Sequence, residues 1–450
     1  MGRRPHAQAL GLWMNGDFVG TWSNQSHMGE TLQYDEDWVR SERGRPLSIS
    51  LPFTVSNRPH RGDLVRNYFE NLLPDSQQIR DRVARRFQVG STNAFALLAE
   101  IGRDCVGALQ ILPLGEAPAK LISVDATQLS DAQVARRLRG VSDPSLHSEP
   151  AHDDDDFRIS IAGAQEKTAL LHTGGQWYVP HGSTPTTHIL KLPLGLVGNL
   201  RLDLSESVEN EWLCMQILAA YGMPVARTQM LTFEDVKVLA VERFDRQWAT
   251  HSDGNRWIVR LPQEDMCQAT GTAPHLKYES DGGPGIDRIM NVLATSRQST
   301  RDVRTFFQAQ VLFWMLCATD GHAKNFSLAL GRGGAYELTP LYDVLSAYPF
   351  LGEGPGKLSP FRAKMAMAVR SKNAHWRMRD IQRRHWLSLG IRHGVLAPDG
   401  EDTSSVLDDL ILRTPEVVCA VRSNLPEGFP SMLANRVLGG LNAAAEKLQG

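Results

Sequence analysis

The segment CATDGHAKNFSLAL, residues 317–330, places an aspartate and an asparagine five positions apart, at Asp320 and Asn325. The apolar run FQAQVLFWMLCA precedes the pair and predicts a helix that ends just before Asp320. At such a helix end, an aspartate can accept or orient the proton of an attacking hydroxyl, and the asparagine can turn back to bind Mg²⁺ on a phosphate group. Alone the spacing is a weak signal, because Asp-Gly and Lys-Asn are also common in ordinary turns.

A second carboxylate follows in LTPLYDVLSAYP, where Asp343 lies 18 positions after Asn325. This order and approximate spacing match the metal-binding aspartate of protein kinases, although the context is Tyr-Asp-Val in place of Asp-Phe-Gly. The alternative is a turn or N-cap aspartate before VLSAY. The two motifs together favour phosphoryl transfer more than either does alone.

Two segments upstream have residues that can contact phosphates. Lys191 lies in THILKLP, where a strand would place it on one face with Ile189. We interpret it as a cation for nucleotide phosphates; the alternative is an edge-strand lysine whose ammonium reaches water.

The segment RISIAGAQEKTALL, residues 158–171, has a small and polar turn between strand-like ends. That turn is either a phosphate-binding loop that uses its backbone N–H groups or a plain hairpin.

Other motifs weaken competing interpretations. No Walker A motif occurs, which argues against a P-loop nucleotidase. The four aspartates at 153–156 are interpreted as a solvated linker, because a metal site needs ligands that converge. His322 has no second histidine at ligand spacing and is interpreted as a loop-stabilising residue.

Two further segments have distinctive compositions. ESDGGPGI at 279–286 predicts a mobile loop. HWRMRDIQRRH at 375–385 predicts a basic helical patch, either solvated or in contact with DNA phosphates.

The elements that must position these residues change in character along the chain. Asn15-Gly16 between apolar runs predicts a hairpin, and RPLSISLPF at 45–53 alternates like a strand. Strand patterns return from 157, interrupted by a helix in DLSESVENEWLCMQILAAYGMP, for which Asp203, Ser205 and Ser207 offer N-caps. After LPQEDMCQ the pattern is mostly helical. A β-rich part that leads through one connector into a helical part is the arrangement of protein kinases.

The composition limits the class of protein. At 450 residues the chain exceeds one ordinary hydrophobic core, and 42% hydrophobic with 22% charged residues is typical of a globular protein. A formal net charge of -2 excludes a strongly basic, whole-chain nucleic-acid binder. Five scattered cysteines without a CxxC pair predict reduced thiols, and we see neither a signal peptide nor a run long enough to span a bilayer. We therefore expect a cytoplasmic protein.

Several long segments resemble one known family, the HipA toxins of bacterial toxin–antitoxin modules, which are serine/threonine protein kinases linked to persistence. The segments are SIAGAQEKTALL, TPTTHILKLP, LAVERFDR, LPQEDMCQ, KYESDGGPGI, ATDGHAKNFS and LTPLYDVLSAYP. LWMNGDFVGTW and the LLPDS region resemble the N-terminal subdomain of the family. The resemblance covers nearly the whole chain and is weakest in 115–155 and after about residue 370.

The resemblance implies a fold and a division of the chain. We expect an α+β, two-lobed, protein-kinase-like fold, with a β-rich N-terminal lobe, an extra N-terminal subdomain and an all-α C-terminal lobe. The expected parts are a mixed α/β subdomain at 1–115, a connecting segment with the acidic linker at 116–156, a β-rich ATP-binding part at 157–265 and a helical catalytic lobe at 266–450.

The resemblance also implies roles for individual residues, with ATP and Mg²⁺ as cofactors. Asp320 resembles the catalytic aspartate, Asn325 and Asp343 resemble the Mg²⁺ ligands, and Ser160 matches the serine that these kinases autophosphorylate and thereby inactivate. The residues that resemble the ATP-binding set are Ala162, Gly163, Ala164, Gln165, Glu166 and Lys167 in the phosphate loop, Lys191 in its strand, Gln263, Glu264, Asp265 and Met266 in the hinge, and His322 and Lys324 in the catalytic loop.

The partners implied by the resemblance are a protein substrate and an antitoxin. The expected substrate is an aminoacyl-tRNA synthetase, such as glutamyl-tRNA synthetase. The expected antitoxin is a small helix-turn-helix protein, similar to HipB, whose complex with the kinase binds operator DNA and represses its own operon. Two other functions stay open: a small-molecule kinase on the same fold, and a catalytically silent co-repressor that binds an antitoxin.

Overall fold

The computed structural model describes residues 9–25, 29–142, 165–198 and 200–450. The strands are β1 (Ala9–Met14), β2 (Asp17–Gln25), β3 (Gly29–Tyr34), β4 (His60–Arg61), β5 (Leu109–Pro113), β6 (Ala126–Leu129), β7 (Lys167–Thr173), β8 (Gln176–Pro180), β9 (His188–Lys191), β10 (Gly195–Val197), β11 (Leu202–Leu204), β12 (Thr228–Phe233), β13 (Val236–Glu242), β14 (Arg246–Thr250), β15 (Arg256–Arg260), β16 (Gln263–Asp265), β17 (Ser327–Leu330), β18 (Tyr336–Leu338), β19 (Lys364–Arg370) and β20 (Ala374–Arg377). The helices are α1 (Glu36–Arg40), α2 (Asp63–Glu70), α3 (Gln77–Arg86), α4 (Ala94–Ile101), α5 (Asp131–Ser142), α6 (Ser207–Ala220), α7 (Met266–Ala269), α8 (Ile286–Leu293), α9 (Ser299–Met315), α10 (Arg383–Arg392), α11 (Thr403–Ser423) and α12 (Ser431–Gln449).

The chain forms two compact units, each assembled from separate stretches of sequence. The first unit, which is rich in strands, comprises Met1–Leu192, Leu231–His275 and Leu328–Tyr336. The second unit, which has the long helices, comprises Pro193–Met230, Leu276–Ser327 and Glu337–Gly450.

A five-stranded sheet in the order β4-β3-β2-β1-β5 begins the first unit. The predicted hairpin is confirmed: β1 and β2 pair antiparallel across Asn15 and Gly16, whose φ angles of 49° and 91° suit a tight two-residue turn. Trp22 on β2 stacks on Phe69 of α2 with ring centroids 3.7 Å apart, and both side chains are fully buried. This contact fixes α2 against the sheet and gives the N-terminal part its own core.

The segment RPLSISLPF was predicted as a strand, and that prediction is wrong. It runs as an irregular loop because its polar groups bond to residues more than 200 positions away. The hydroxyls of Ser48 and Ser50 donate to the carbonyl of Gln268 at 3.2 and 2.7 Å, and the backbone N–H of Ile49 donates to Glu264 at 2.9 Å. These bonds replace the pairing that a neighbouring strand would have supplied.

A six-stranded sheet in the order β12-β13-β9-β7-β8-β6 follows in the first unit. Helix α5 covers one face of this sheet, where Leu138 packs in one apolar cluster with Leu170 and Leu190. Strand β9 lies between β13 and β7, with Lys191 opposite Leu239 on one side and Lys167 on the other. Because β9 is an interior strand, the edge-strand alternative for Lys191 is wrong.

The first unit also encloses a cluster of charged side chains, formed by Asp104, Arg243, Asp245, Arg246 and Arg260, all at most 7% exposed. Asp104 lies at the centre, within 3.3 Å of all three guanidinium groups. Burial alone would raise the pKa of Asp104, but the three arginines outweigh it and hold the pKa well below its usual value. The cluster ties the chain before β5 to the segment after β13 and to β14 and β15.

Helices α8 to α12 form most of the second unit, which also has the β19–β20 hairpin within the part predicted to be all helical. The prediction of a helix over 375–385 is wrong, because β20 occupies its start and α10 begins only at Arg383. Pairing of Lys364 with Arg377 and a 2.8 Å bond from the indole N–H of Trp314 to the carbonyl of Met378 hold this backbone out of a helix.

The predicted state of the cysteines is confirmed: all five are free, four of them buried and Cys419 exposed. Across the described residues, no helix combines the length and the apolar character that crossing a membrane requires.

Candidate active site

The loop that contains Asp320 begins where α9 ends. The helix is capped at Leu316, and Cys317 follows with a φ of 50°, which turns the chain sharply. The N–H of Ala318 then bonds back to the carbonyl of Phe313 at 2.8 Å. Gly321 is required next, since a Cβ there would lie 2.4 Å from the ring of Phe313. The sequence prediction of a helix that stops just before Asp320 is therefore confirmed.

Asn325 joins the two predicted carboxylate positions. Its side-chain N–H groups donate to the backbone carbonyl of Asp320 at 2.8 Å and to that of Asp343 at 3.4 Å. Asn325 is only 3% exposed, and its backbone N–H bonds to the carbonyl of His322 at 2.9 Å. The structure thus brings together Asp320, Asn325 and Asp343, which the spacing had singled out.

The backbone around Asp343 is held in a strained conformation. Asp343 has a φ of 62°, in the region that residues other than glycine seldom adopt. No helix starts there, so the alternative of an N-cap aspartate is wrong. Ser346 fixes the following chain: its hydroxyl donates to the carbonyl of Leu316 at 2.6 Å, and its backbone N–H and carbonyl both bond to the side chain of Asn210. The strain at Asp343 is thereby maintained by contacts with α6 and α9.

The carboxylate of Asp320 is open to solvent, with 60% of the side chain exposed. Its Oδ1 accepts a hydrogen bond from the hydroxyl of Tyr278, and Nε2 of His322 lies 4.0 Å from the same oxygen. Sequence reasoning missed Tyr278 and predicted a mobile loop directly after it. The segment forms a short 3₁₀ turn (Glu279–Asp281), then a loop that ends at the start of α8 (Ile286–Leu293). The only signal was that KYESDGGPGI belongs to the resembling segments.

His322 and Lys324 are almost buried beside this carboxylate, at 5% and 7% exposure. The ring of His322 contacts Tyr278 edge-on, with centroids 5.0 Å apart at 87°. The carbonyl of Lys324 accepts a 3.0 Å hydrogen bond from Tyr342, whose hydroxyl also bonds to Ser327. These contacts agree with the interpretation of His322 as a residue that stabilises the loop.

The predicted phosphate-contacting residues lie in the first unit. Lys167 on β7 and Lys191 on β9 are directly opposite each other in the antiparallel pair, so their side chains project from the same face of the sheet. Gln165 and Glu166 lie at the end of this strand pair and both bond to Leu192. The side chain of Gln165 donates to the carbonyl of Leu192 at 2.6 Å, and the N–H of Leu192 donates to the carbonyl of Glu166 at 3.1 Å. Ala162, Gly163, Ala164 and Ser160 lie outside the described residues.

Gln263, Glu264, Asp265 and Met266, the predicted hinge, form β16 and the start of α7. The side chain of Glu264 is fully buried, Asp265 forms a capping box with Gln268, and Met266 is fully buried. These three side chains are therefore used in packing and hydrogen bonds within the fold.

Burial raises the pKa of Glu264 to about 8, against bonds from Ser48 and Ile49 that lower it. Between the ordinary carboxyl pKa and about 8, the folded chain therefore keeps a proton that the unfolded chain has lost, and stability falls as pH rises through this window. We expect Glu264→Gln to match the wild type near pH 5 and to exceed its free energy of unfolding by on the order of 3 kcal/mol at pH 8.5.

Thermal unfolding at several pH values measures this effect. Glu36→Gln, which changes a carboxylate that is 69% exposed, is the matched control and should leave the pH profile unchanged. Parallel wild-type and Glu264→Gln profiles would show that Glu264 is already ionised in the folded protein.

The described residues, 9–25, 29–142, 165–198 and 200–450, contain no group of three or more His, Cys, Asp or Glu side chains that could hold a metal ion. Asn325 and Asp343 instead provide one amide and one carboxylate. Mg²⁺ is commonly bound by one or two protein oxygens, with phosphates and waters completing its shell. The donor set therefore fits a nucleotide-bound Mg²⁺ and not a metal site made of protein ligands alone.

Comparison with known proteins finds two family models that match most of the chain. The HipA-like C-terminal domain matches residues 159–417, and the HipA N-terminal domain matches residues 10–112. The Sinorhizobium fredii protein Y4mE, whose name describes it as a candidate kinase, is 33% identical over 80% of this chain and 81% of its own length. The serine/threonine-protein kinase toxin HipA of Shewanella oneidensis is 27% identical over 75% of this chain and 73% of its own length.

A solved structure extends this similarity to the fold. HipA of Shewanella oneidensis, in a complex with HipB and its operator DNA, superposes with a TM-score of 0.76 at 23% sequence identity. The match covers 98% of this chain and 97% of that one. The match shows the HipA fold, so the expected α+β fold with a strand-rich and a mostly helical part is confirmed, except that the part expected to be all α also contains the β19–β20 hairpin.

Proposed function

This chain belongs to the HipA family of serine/threonine-kinase toxins, and on that premise we propose that it transfers phosphate from Mg-ATP to a serine or threonine of a protein. The observation that carries the proposal is the junction made by Asn325. One buried amide holds the backbones of Asp320 and Asp343 together, while the carboxylate of Asp320 stays exposed to a substrate. Phosphoryl transfer requires a carboxylate for the acceptor hydroxyl close to the ligands of the phosphate-bound cation, and this junction brings the two together.

The residues proposed for Mg-ATP are taken from the family. Asn325 and Asp343 would hold Mg²⁺, which supplies charge neutralisation on the phosphates when it is bound. Lys191, with Lys167 opposite it in the sheet, would contact the phosphates, as the strand lysine of kinases does. We propose the hinge residues Gln263, Glu264, Asp265 and Met266 for the adenine, with Gln165, Glu166, His322 and Lys324 near the phosphates.

Asp320 would act on the acceptor. The substrate hydroxyl donates its hydrogen bond to the Asp320 carboxylate, the hydroxyl oxygen forms the new bond to the γ-phosphorus, and the bond to the ADP oxygen breaks. The proton passes to Asp320 and then to solvent. Because the transition state is loose, the contribution of the protein is mainly positioning and charge stabilisation.

Regulation and partners are proposed from the family. Ser160, with Ala162, Gly163 and Ala164 after it, would be the site of inactivating autophosphorylation, because a phosphate there adds roughly two negative charges beside a loop meant for ATP. The antitoxin would be a helix-turn-helix protein similar to the HipB of the Shewanella oneidensis complex. Exposed Arg377, Arg379 and Arg384 in the 375–385 segment support contact with operator phosphates in such a complex.

The proposed substrate is an aminoacyl-tRNA synthetase, such as glutamyl-tRNA synthetase. We expect the chain, incubated with γ-labelled Mg-ATP and a panel of purified synthetases, to label a serine or threonine in one of them. Phosphopeptide mapping identifies the position, and loss of aminoacylation measures the consequence. Label recovered only in a small metabolite would favour a metabolite kinase, and no label in any acceptor would favour a silent co-repressor.

A further inference from the structure

A short loop, residues 277–285, runs directly against the loop that contains Asp320. The carbonyl of Lys277 accepts a hydrogen bond from the N–H of Ala323 at 3.3 Å. The carbonyl of Tyr278 accepts from Asp281 at 3.1 Å and from Gly283 at 3.0 Å, which closes a tight turn. A Cβ on Gly283 would lie 1.9 Å from the carbonyl oxygen of Leu276, so this turn tolerates only glycine. The backbone on both sides of Tyr278 is therefore fixed.

The residue after Tyr278 anchors the same loop to β19. The side chain of Glu279 is 10% exposed. It accepts a 2.7 Å hydrogen bond from the backbone N–H of Ala368 and forms an ion pair with Arg370. Gly285 leaves room for this carboxylate, because a Cβ at 285 would lie 2.2 Å from it. The loop thus has one attachment on the Asp320 loop and another on a β-hairpin.

Tyr278 and His322 both approach one oxygen of the Asp320 carboxylate, Oδ1. The rings of Tyr278 and His322 are in edge-on contact, and Nζ of Lys277 lies 5.6 Å from the centroid of the Tyr278 ring. A hydrogen bond from a fixed phenol to one oxygen restricts rotation of the carboxylate about its last side-chain bond. With the side chain 60% exposed, the other oxygen is left for a substrate hydroxyl.

We propose that Tyr278 is a positioning residue for phosphoryl transfer, which binds Oδ1 of Asp320 and thereby orients Oδ2 toward the acceptor hydroxyl. This inference rests on the proposed function, since it requires Asp320 to act on an acceptor. Tyr278 does not exchange a proton with the substrate. Its contribution is the orientation of the base, which matters because small misplacements of reacting groups reduce rates strongly.

The test compares Tyr278→Phe with the wild type after phosphatase treatment of both, by transfer of label from γ-labelled Mg-ATP to the chain itself, to casein and to water. Phenylalanine keeps the ring against His322 and removes only the O–H donor. We expect the limiting rate of transfer to fall by about tenfold or more, while the half-saturating ATP concentration and the melting temperature stay within about twofold and about 2 °C. The limiting rate of Tyr278→Ala should be at most a few times lower than that of Tyr278→Phe, because the effect comes from the O–H donor and not from the ring.

Tyr221→Phe is the matched control, because it removes a buried hydroxyl bond of 2.6 Å to Thr414 in the same unit. We expect it to lower the melting temperature without changing the limiting rate. The inference is overturned if Tyr278→Phe transfers label at the wild-type rate. It is also overturned if the variant is faster, which would mean that the phenol blocks the acceptor position. A loss of rate that is explained by weaker ATP binding or by a lower melting temperature would overturn it as well. A wild-type chain that transfers label to no acceptor would overturn the proposed function itself, and this inference with it.

Discussion

Asp320→Asn is expected to reduce phosphate transfer from Mg-ATP by about a thousandfold or more while the protein stays folded, because general-base and orienting groups of this kind contribute about 10²–10⁴ in rate. Asparagine has the shape of aspartate and can still accept the bond from Tyr278, but it cannot take a proton. The backbone carbonyl of Asp320, which Asn325 binds, is unchanged by the substitution. The loss should therefore appear in the limiting rate, with nucleotide affinity retained, as measured by label transfer and by nucleotide titration.

Asp409→Asn is the matched control for this substitution. Asp409 lies on α11 in a surface ion pair with Arg413 at 3.4 Å and is 51% exposed. It has the same chemistry as Asp320, so its replacement should leave both the rate and the melting temperature unchanged within error. Full activity in Asp320→Asn with a normal melting curve would remove Asp320 from the reaction.

Asp104→Asn should lower the melting temperature by about 10 °C, which corresponds to roughly 3–5 kcal/mol for a buried ion pair that loses one partner. Asp104 contacts Arg243, Arg246 and Arg260, and Thr186 donates to it at 2.7 Å. Once its charge is removed, Arg243 and Arg246 keep Asp245 as a partner, whereas Arg260 loses its ion pair in a site shielded from water. Thermal unfolding measures the loss, and activity per folded molecule at low temperature should stay close to wild type.

Asp63→Asn provides the comparison for this effect. Asp63 forms a 2.6 Å pair with Arg66 on the surface, where it is 79% exposed, and such pairs contribute at most about 1 kcal/mol. Equal melting temperatures for Asp104→Asn and Asp63→Asn would show that the buried cluster does not stabilise the first unit.

The sequence predicted best the features whose signals are local. Asp320 and Asn325 lie on one short loop, and the end of the apolar helix before them could be read from periodicity, so their proximity was foreseeable. The Asn15-Gly16 hairpin and α6 also follow from local rules, although the N-cap of α6 is Glu206 and not one of the predicted residues. The contact of Asn325 with the backbone of Asp343 was foreseeable only in part, because it requires the sharp turn with φ of 62°.

The features that escaped prediction depend on long-range contacts. RPLSISLPF alternates like a strand, but Ser48 and Ser50 bond to Gln268 and thereby fix an irregular loop. The bond of Tyr278 to Asp320 spans 42 residues, and the contact of Asp104 with Arg260 spans 156. No pattern of spacing or periodicity encodes such pairs, since each forms only when separate stretches of the chain fold together. The strand at the start of 375–385 was hidden in the same way, by its pairing across the hairpin.

The central claim, that this chain transfers phosphate from Mg-ATP to a serine or threonine, is tested most directly by the intact mass of the purified, phosphatase-treated chain before and after incubation with Mg-ATP, followed by peptide mapping. We predict a gain of one phosphate on Ser160 in the wild type and no gain in Asp320→Asn. An unchanged mass of the wild-type chain, with no ATP consumed in the presence of protein acceptors, would contradict the claim.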